Sequence, residues 1–211
     1  MDFKRFKHKL EAAFTRPLPG QDAQYKMTPA GRARIDIDNI DQSKVKQAAT
    51  AALFFESDDQ PHLILTRRVD YPGVHSGQIS FPGGRREPED DSFMDTALRE
   101  TEEEIGIHRE EIDVLGSLTA VYIPPSNFFV YPFVGILDGP PEFIPQQSEV
   151  AEILTPDFNH FLNTENLQQT KVRVRDFSMA VPAFTIDGNI VWGATAMMIS
   201  ELRTMLLQEP S

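Results

Sequence analysis

The sequence predicts a mixed α/β fold, and three observations carry that reading. Short apolar runs of strand length recur along the chain, bounded by clusters of Gly, Pro, Asn and Asp, beginning with Ala48 to Phe55. Two longer stretches repeat apolar residues at helical spacing, one closing at Gly106 and one carrying Met197, Ile199, Leu202, Met205 and Leu206. The composition, 40% hydrophobic and 25% charged over 211 residues, is that of a globular chain with one substantial core.

In chain order, Phe3, Phe6, Leu10 and Phe14 fall at helical spacing with lysines between them, an amphipathic helix. The lysines would suit a membrane surface. Packing onto the domain, or onto a partner subunit as in a homodimer, suits an acidic chain better. Pro17-Leu18-Pro19-Gly20 ends the helix, and residues 20–46 read as a polar arm over the surface. Residues 1–46 are therefore taken as helix and arm, and 47–211 as the domain proper. Ala48 to Phe55 reads as a buried strand. The turn Ser57-Asp58-Asp59-Gln60 leads to a second strand, Pro61 to Arg67. Ile112 to Ile123 and Phe128 to Leu137 are the next strands, separated by Pro124-Pro125-Ser126-Asn127. Tyr122, Phe128 and Phe129 flank that loop, where aromatics either fill core or stack on a base. Thr155 is read as the cap of a short helix ending near Leu162. Lys171 to Arg175 alternates like a half-buried strand. Phe184 to Val191 turns through Asp187-Gly188-Asn189 as a hairpin. Trp192 precedes the last helix, as core or as a binding residue.

The most informative stretch runs from Gly83 to Ile107. Asp91 or Ser92 caps a helix there, since a short side-chain oxygen accepts the orphan N–H groups of a first turn. Met94, Ala97, Leu98, Thr101 and Ile105 form its core stripe, and Asp95 and Glu102 face water. Gly106 ends it. Glu100, Glu103 and Glu104 stand as neighbours on another side. Three carboxylates near a helix C-terminus repel one another and oppose the dipole. They are either a solvated acidic face or the oxygen donors for a hard cation, Mg²⁺ or Mn²⁺. Further on, Glu149 and Glu152 are either a solvent-facing strand edge or extra carboxylates for the same chemistry.

The order Gly84, acidic loop, Arg99-Glu100, Glu103-Glu104, Gly106-Ile107 resembles the Nudix box. Three departures stand out. One extra residue lies between Gly84 and Arg99, Asp90 or Asp91 replaces the usual loop glutamate, and Thr101 replaces an aliphatic residue. Upstream, Leu65-Thr66-Arg67-Arg68, His75-Ser76-Gly77-Gln78 and Phe81-Pro82-Gly83-Gly84 resemble the signature of the coenzyme A pyrophosphatase subgroup. That subgroup shares the enlarged loop and a Trp-Gly-x-Thr-Ala piece like that at Trp192. Gly73 stands where the subgroup tends to carry a basic residue. The resemblance covers roughly residues 48–207.

The resemblance implies a Nudix fold, an α/β/α sandwich with a central mixed sheet. It implies metal-assisted attack of water on a phosphoanhydride. Glu100, Glu103 and Glu104 would hold Mg²⁺ or Mn²⁺, Arg99 would orient a box carboxylate, and Glu100 or Glu149 would be the base. Arg67, His75, Gln78, Gly84 and Arg85 would meet the substrate, although a lone histidine is as readily structural. The implied substrate is coenzyme A or an acyl derivative, cut to 4′-phosphopantetheine and adenosine 3′,5′-bisphosphate, with Arg67, Arg68 or Arg85 reading the 3′-phosphate. ADP-ribose or dinucleoside-polyphosphate hydrolysis is the alternative, and a non-catalytic Nudix-fold binding module is the alternative of another class.

The formal charge of −12 argues against nucleic acid, whose phosphates require a basic surface. It also means that a phosphorylated small molecule needs local cations. No apolar run approaches a membrane span, and no cysteine is present for disulfides, thiolate metal sites or nucleophilic attack. Cytoplasmic residence is the default expectation.

Overall fold

Two layers of side chains alternate along a single strand, β1 (Lys46–Ser57), and this organises the molecule. Ala49, Ala51, Leu53 and Phe55 point to one face, while Ala52 and Phe54 point to the other. Both faces are covered, which is why the strand reads as a continuous apolar run rather than an alternating one. The computed structural model describes residues 1–71, 75–174 and 177–208.

β1 pairs in parallel with β8 (Phe128–Leu137) and antiparallel with β2 (Gln60–Leu63) and β5 (Gly83–Arg85). β6 (Ile112–Ser117) and β7 (Val121–Ile123) add antiparallel to β8, giving a mixed six-stranded sheet. β5 takes the half of β1 that β2 leaves unpaired, so it is an edge at that end. A second sheet sets β3 (Leu65–Arg68) between β4 (Ile79–Ser80) and β9 (Val150–Leu154). A third sets β11 (Phe177–Ile186) between β10 (Leu167–Val174) and β12 (Asn189–Trp192).

Helix α3 (Phe93–Ile105) covers one face of the main sheet through Ala97 and Ile105. The other face carries α1 (Phe3–Phe14) and α5 (Gly193–Leu207), with Phe6, Leu10, Ile199 and Leu202 fully buried. Phe6 meets Phe54 at 4.7 Å and Phe158 at 5.7 Å between ring centroids. The amphipathic N-terminal helix therefore docks on this chain's own core. The reading of residues 20–46 as a surface arm needs correction at its start. There α2 (Gly20–Gln24) packs against α5, and Ala23, Gln24 and Met27 are buried.

Other boundaries shift for local reasons. The stretch 112–123 divides into β6 and β7, both paired with β8, and between them Leu118 N–H donates to the Pro132 carbonyl of β8 at 2.9 Å, a residue with no N–H to return the bond. The strand expected from Pro61 to Arg67 breaks at Ile64, whose N–H bonds Leu53 O at 2.9 Å, and its halves join different sheets. Thr155 does not cap the short helix. That helix, α4 (Asn159–Leu162), has Asp157 Oδ1 accepting from Asn159 N–H at 2.8 Å. Met94 is 42% exposed rather than in the core stripe, and Thr96 takes the buried place. Asp95 and Glu102 are engaged by Arg109 and His108, each at 2.7 Å, rather than by water alone. The hairpin at Asp187-Gly188 has both residues at positive φ, 49° and 79°, which a tight two-residue turn requires. Gly73 and Arg175 lie outside the described residues. Among the described residues no helix is long and apolar enough to cross a membrane.

Candidate active site

The site is built where edge strand β5 meets α3. Of the two cap candidates, Ser92 serves: its hydroxyl oxygen accepts Asp95 N–H at 3.0 Å. Gly106 ends the helix at φ 77° and donates its N–H to Glu102 O at 3.0 Å. Between these ends the helix holds Arg99, Glu100, Glu103 and Glu104 against the β5 glycines. Gly83 takes φ 145°, and a Cβ on it would collide with the backbone of Ala49 and Thr50. A Cβ on Gly84 would collide with the Glu100 carboxylate. The glycine pair thus lets a carboxylate lie directly against backbone.

Arg99 organises the polar network. Its Nε and Nη2 donate to the two oxygens of Asp90 at 2.8 and 3.0 Å, a bidentate clasp. Nη1 donates to Glu100 at 3.0 Å and to Glu103 at 3.2 Å, and Nη2 also reaches Arg85 O at 3.1 Å. Asp90 further accepts from Thr96 Oγ1 at 2.8 Å and Glu87 N–H at 2.9 Å. The Arg99 guanidinium holds the Asp90 carboxyl well below the ordinary carboxylate range. In turn, Asp90 raises the Arg99 guanidinium further. The loop carboxylate that departs from the Nudix pattern is therefore the anchor of Arg99.

Glu104 is 3% exposed. It accepts Gly83 N–H at 3.1 Å and faces Arg68 Nη1 at 3.5 Å. Burial pushes its carboxyl up to about 7, against the Gly83 and Arg68 contacts and with the help of nearby Glu100 and Glu149. Burial likewise raises Glu100, with Arg99 opposing. Glu103 is exposed. Glu149, at the start of the β9 segment, is exposed and makes no side-chain hydrogen bond or ion pair with any described residue.

These groups open on one cavity of about 610 Å³. Glu100, Glu103, Glu104 and Glu149 line it together with Gly84, Arg85, His75 and Gln78. His75 Nδ1 lies 3.0 Å from Gln78 Oε1. Two placements differ from expectation. Arg67 is not on the cavity wall: it donates to Glu152 at 2.9 Å and to Asn189, and its neighbour Arg68 faces inward instead. Successive side chains of a strand point to opposite faces, so with Arg67 turned to Glu152 and Asn189 its neighbour Arg68 is turned toward Glu104. Trp192 and Phe128 do line the cavity, whereas Phe129 is core and Tyr122 bonds Asn127.

The cavity crosses the sheet. Arg85 stands opposite Ala48, Ala48 opposite Val130, and Ile123 opposite Phe128, so its floor runs from β5 over β1 and β8 to β7. At roughly 4.8 Å between strands, that is about 14 Å, the scale of a nucleotide. Met198, whose sulfur is 3.9 Å from Thr50 Oγ1, and Met197 roof it from α5.

The donor set fits a hard divalent cation: only carboxylate oxygens, packed against glycine backbone, one of them buried. Among the described residues no three such side chains stand in ready coordination. Glu100 and Glu103 turn to Arg99 and Glu104 turns to Arg68, so cation binding would exchange these contacts.

Residues 45–176 match the NUDIX domain family model. The chain is 33% identical over 143 residues to an uncharacterised Nudix hydrolase, NudL, of Yersinia pestis (strain Pestoides F), covering 68% of this chain and 71% of that one. Among solved structures, a MutT/nudix family protein from Enterococcus faecalis superposes with TM-score 0.49 at 17% identity, over 77% of this chain and 62% of that one. The NUDIX domain of Shewanella oneidensis NrtR, complexed with ADP ribose, superposes with TM-score 0.46 at 18% identity, over 65% and 84%. The family model and the Yersinia relative place the chain in the Nudix hydrolase family, whose members are pyrophosphohydrolases that generally use divalent metal ions.

Proposed function

We propose that the chain hydrolyses the diphosphate of coenzyme A or an acyl derivative, releasing 4′-phosphopantetheine and adenosine 3′,5′-bisphosphate, with Mg²⁺ or Mn²⁺ as cofactor. One observation supports the chemistry above others: four glutamates and the Gly83-Gly84 backbone share a single cavity with unneutralised arginine. The choice of substrate rests on the His75-x-Gly77-Gln78, Phe81-Pro82-Gly83-Gly84 and Trp192-Gly-x-Thr195-Ala196 resemblance.

Glu100, Glu103 and Glu104 would hold the cation. When bound, it polarises the phosphoryl oxygens and offsets charge that this acidic cavity would otherwise repel. Arg99, fixed by Asp90, positions Glu100 and Glu103. His75, Gln78 and Arg85 line the same cavity, which supports a role for them in holding the substrate. The attacking water must lose a proton as its oxygen bonds phosphorus. Glu149 is the base of choice, being the carboxylate of the group that no side chain engages.

The experiment is a substrate panel on purified protein with Mg²⁺ or Mn²⁺. Adenosine 3′,5′-bisphosphate should appear from coenzyme A, and Glu103→Gln or Glu104→Gln should abolish it. Faster cleavage of ADP-ribose than of coenzyme A would replace this reading with an ADP-ribose pyrophosphatase.

A further inference from the structure

Among the described residues, the arginines that line the cavity are Arg68, Arg85 and Arg32. Arg68 is committed to Glu104. Arg85 lies on β5, next to Gly84 and on the same cavity as the carboxylates, where the proposed reaction would put the scissile diphosphate. Arg32 comes from elsewhere in the chain. It belongs to the N-terminal arm, outside the residues 45–176 that match the family model.

The arm is pinned on both sides of Arg32. Before it, the turn Tyr25–Met27 packs on α5 and β11, with Met27 2% exposed and on the cavity wall. At it, Arg32 N–H donates to Pro29 O at 3.2 Å. After it, Ile35 N–H donates to the Tyr25 hydroxyl at 2.7 Å. The Arg32 side chain is exposed, and it makes no hydrogen bond or ion pair with any described residue. That is notable in a chain with 32 acidic and 20 basic residues. Its near neighbour Arg34 shows the contrast: it pairs with Asp22, lies over the Tyr25 ring and stays off the cavity wall.

Among the described residues five glutamates line the cavity, Glu87 with the four already named. A ligand anion away from the metal end meets their repulsion without the metal's compensation. A guanidinium left unpaired on that wall offers a planar fork matched to phosphate oxygens.

We propose that Arg32 is a specificity-determining residue that recognises a phosphomonoester on the part of the substrate away from the scissile diphosphate. The inference rests on the pyrophosphatase reading above. It assigns the N-terminal arm to the substrate site, and for coenzyme A the group recognised is the 3′-phosphate.

The test compares wild type, Arg32→Ala, Arg32→Lys and Arg34→Ala with Mg²⁺ on coenzyme A and 3′-dephospho-coenzyme A. Arg32→Ala should raise KM for coenzyme A roughly tenfold or more, the scale of one charge-assisted hydrogen bond. It should leave kcat and the dephospho substrate unchanged. Arg32→Lys should recover part of the loss, and Arg34→Ala should match wild type. A rise of equal size on both substrates, or on neither, overturns the inference. Equilibrium titration with adenosine 3′,5′-bisphosphate and with 5′-AMP reads the same contact without turnover. Arg32→Ala should weaken the bisphosphate alone, and equal behaviour of the two ligands overturns the inference. If coenzyme A is not hydrolysed, the substrate reading fails and the titration decides Arg32 by itself.

Discussion

Arg99 grips Asp90 across the loop–helix junction, Nε to Oδ1 at 2.8 Å and Nη2 to Oδ2 at 3.0 Å. Asp90 is 5% exposed and belongs to the enlarged loop, so the box helix is tied to the segment that departs most from the family pattern. Removing the carboxylate strips a largely buried guanidinium of its bidentate partner and leaves it only the Nη1 contacts to Glu100 and Glu103 and the Arg85 carbonyl. Asp90→Ala should lower the unfolding free energy by about 3 kcal/mol, the scale for breaking a buried pair, as read from urea denaturation. It should also lower kcat, because Arg99 no longer positions Glu100 and Glu103.

The same pair sets a pH dependence. The Asp90 carboxyl is held below its ordinary range by Arg99. A depressed acid contributes stability that is fully present above its unfolded value, about 4. That stability is lost as pH falls through the still lower folded value. Wild type should therefore lose stability below about pH 4 more steeply than Asp90→Asn. Parallel unfolding curves from pH 2 to 6 would contradict this.

Gly84 and Gly83 should fail differently. Gly84→Ala places a methyl group into the Glu100 carboxylate, so activity should fall at least tenfold with the melting temperature little changed. Gly83→Ala meets the backbone of Ala49 and Thr50 at a φ of 145°, so it should destabilise the fold itself. Thermal melts beside kcat separate the two outcomes.

Glu201 is fully buried in α5 and collects bonds from two segments, α2 and the β6–β7 connection at Thr119. It accepts from Gly20 N–H at 3.1 Å, Gln24 Nε2 at 2.8 Å and Thr119 Oγ1 at 2.7 Å. It therefore fastens α2, and the arm beyond it, to the last helix. Glu201→Leu strands these donors at about 1–3 kcal/mol each. Chemical denaturation should show a loss of several kcal/mol, and limited proteolysis should cut first within residues 28–46.

Phe6→Ala should lower stability by about 3–5 kcal/mol, as for a core phenylalanine. Phe6 is buried between Phe54 and Phe158, so α1 and the sheet should unfold in one transition. A separate early transition for the N-terminal helix by circular dichroism would contradict that.

What the sequence disclosed depends on how local the determinant is. The box helix, its Ser92 cap, its Gly106 stop and the grouping of Glu100, Glu103 and Glu104 all follow from spacing within a few turns. The strand at Phe128 to Leu137 and the Asp187-Gly188 hairpin are local in the same sense. Arg67, Arg68 and Arg85 are all candidate phosphate contacts in the sequence; neighbours on a strand face opposite ways, and that Arg68 rather than Arg67 faces the cavity depends on how β3 pairs with β4 and β9. Pairing with a strand some eighty residues later leaves no trace in the arginine pair itself. Glu201 carries no local mark of its role, because the partners that bury it, α2 and Thr119, are distant in the chain. Arg32 gave no signal either, since nothing in a polar arm marks which residue will reach a distant cavity. Met27, one of several apolar residues in that arm, is buried and anchors it, but its spacing does not single it out.

The central claim is that Glu100, Glu103 and Glu104 hold a divalent cation for diphosphate cleavage. Titration of the purified chain with Mn²⁺, followed by electron paramagnetic resonance of the free ion, tests it most directly. Saturable binding that weakens at least tenfold in Glu100→Gln and Glu104→Gln is the expected result. Binding that is absent in wild type, or unchanged in both variants, would contradict it.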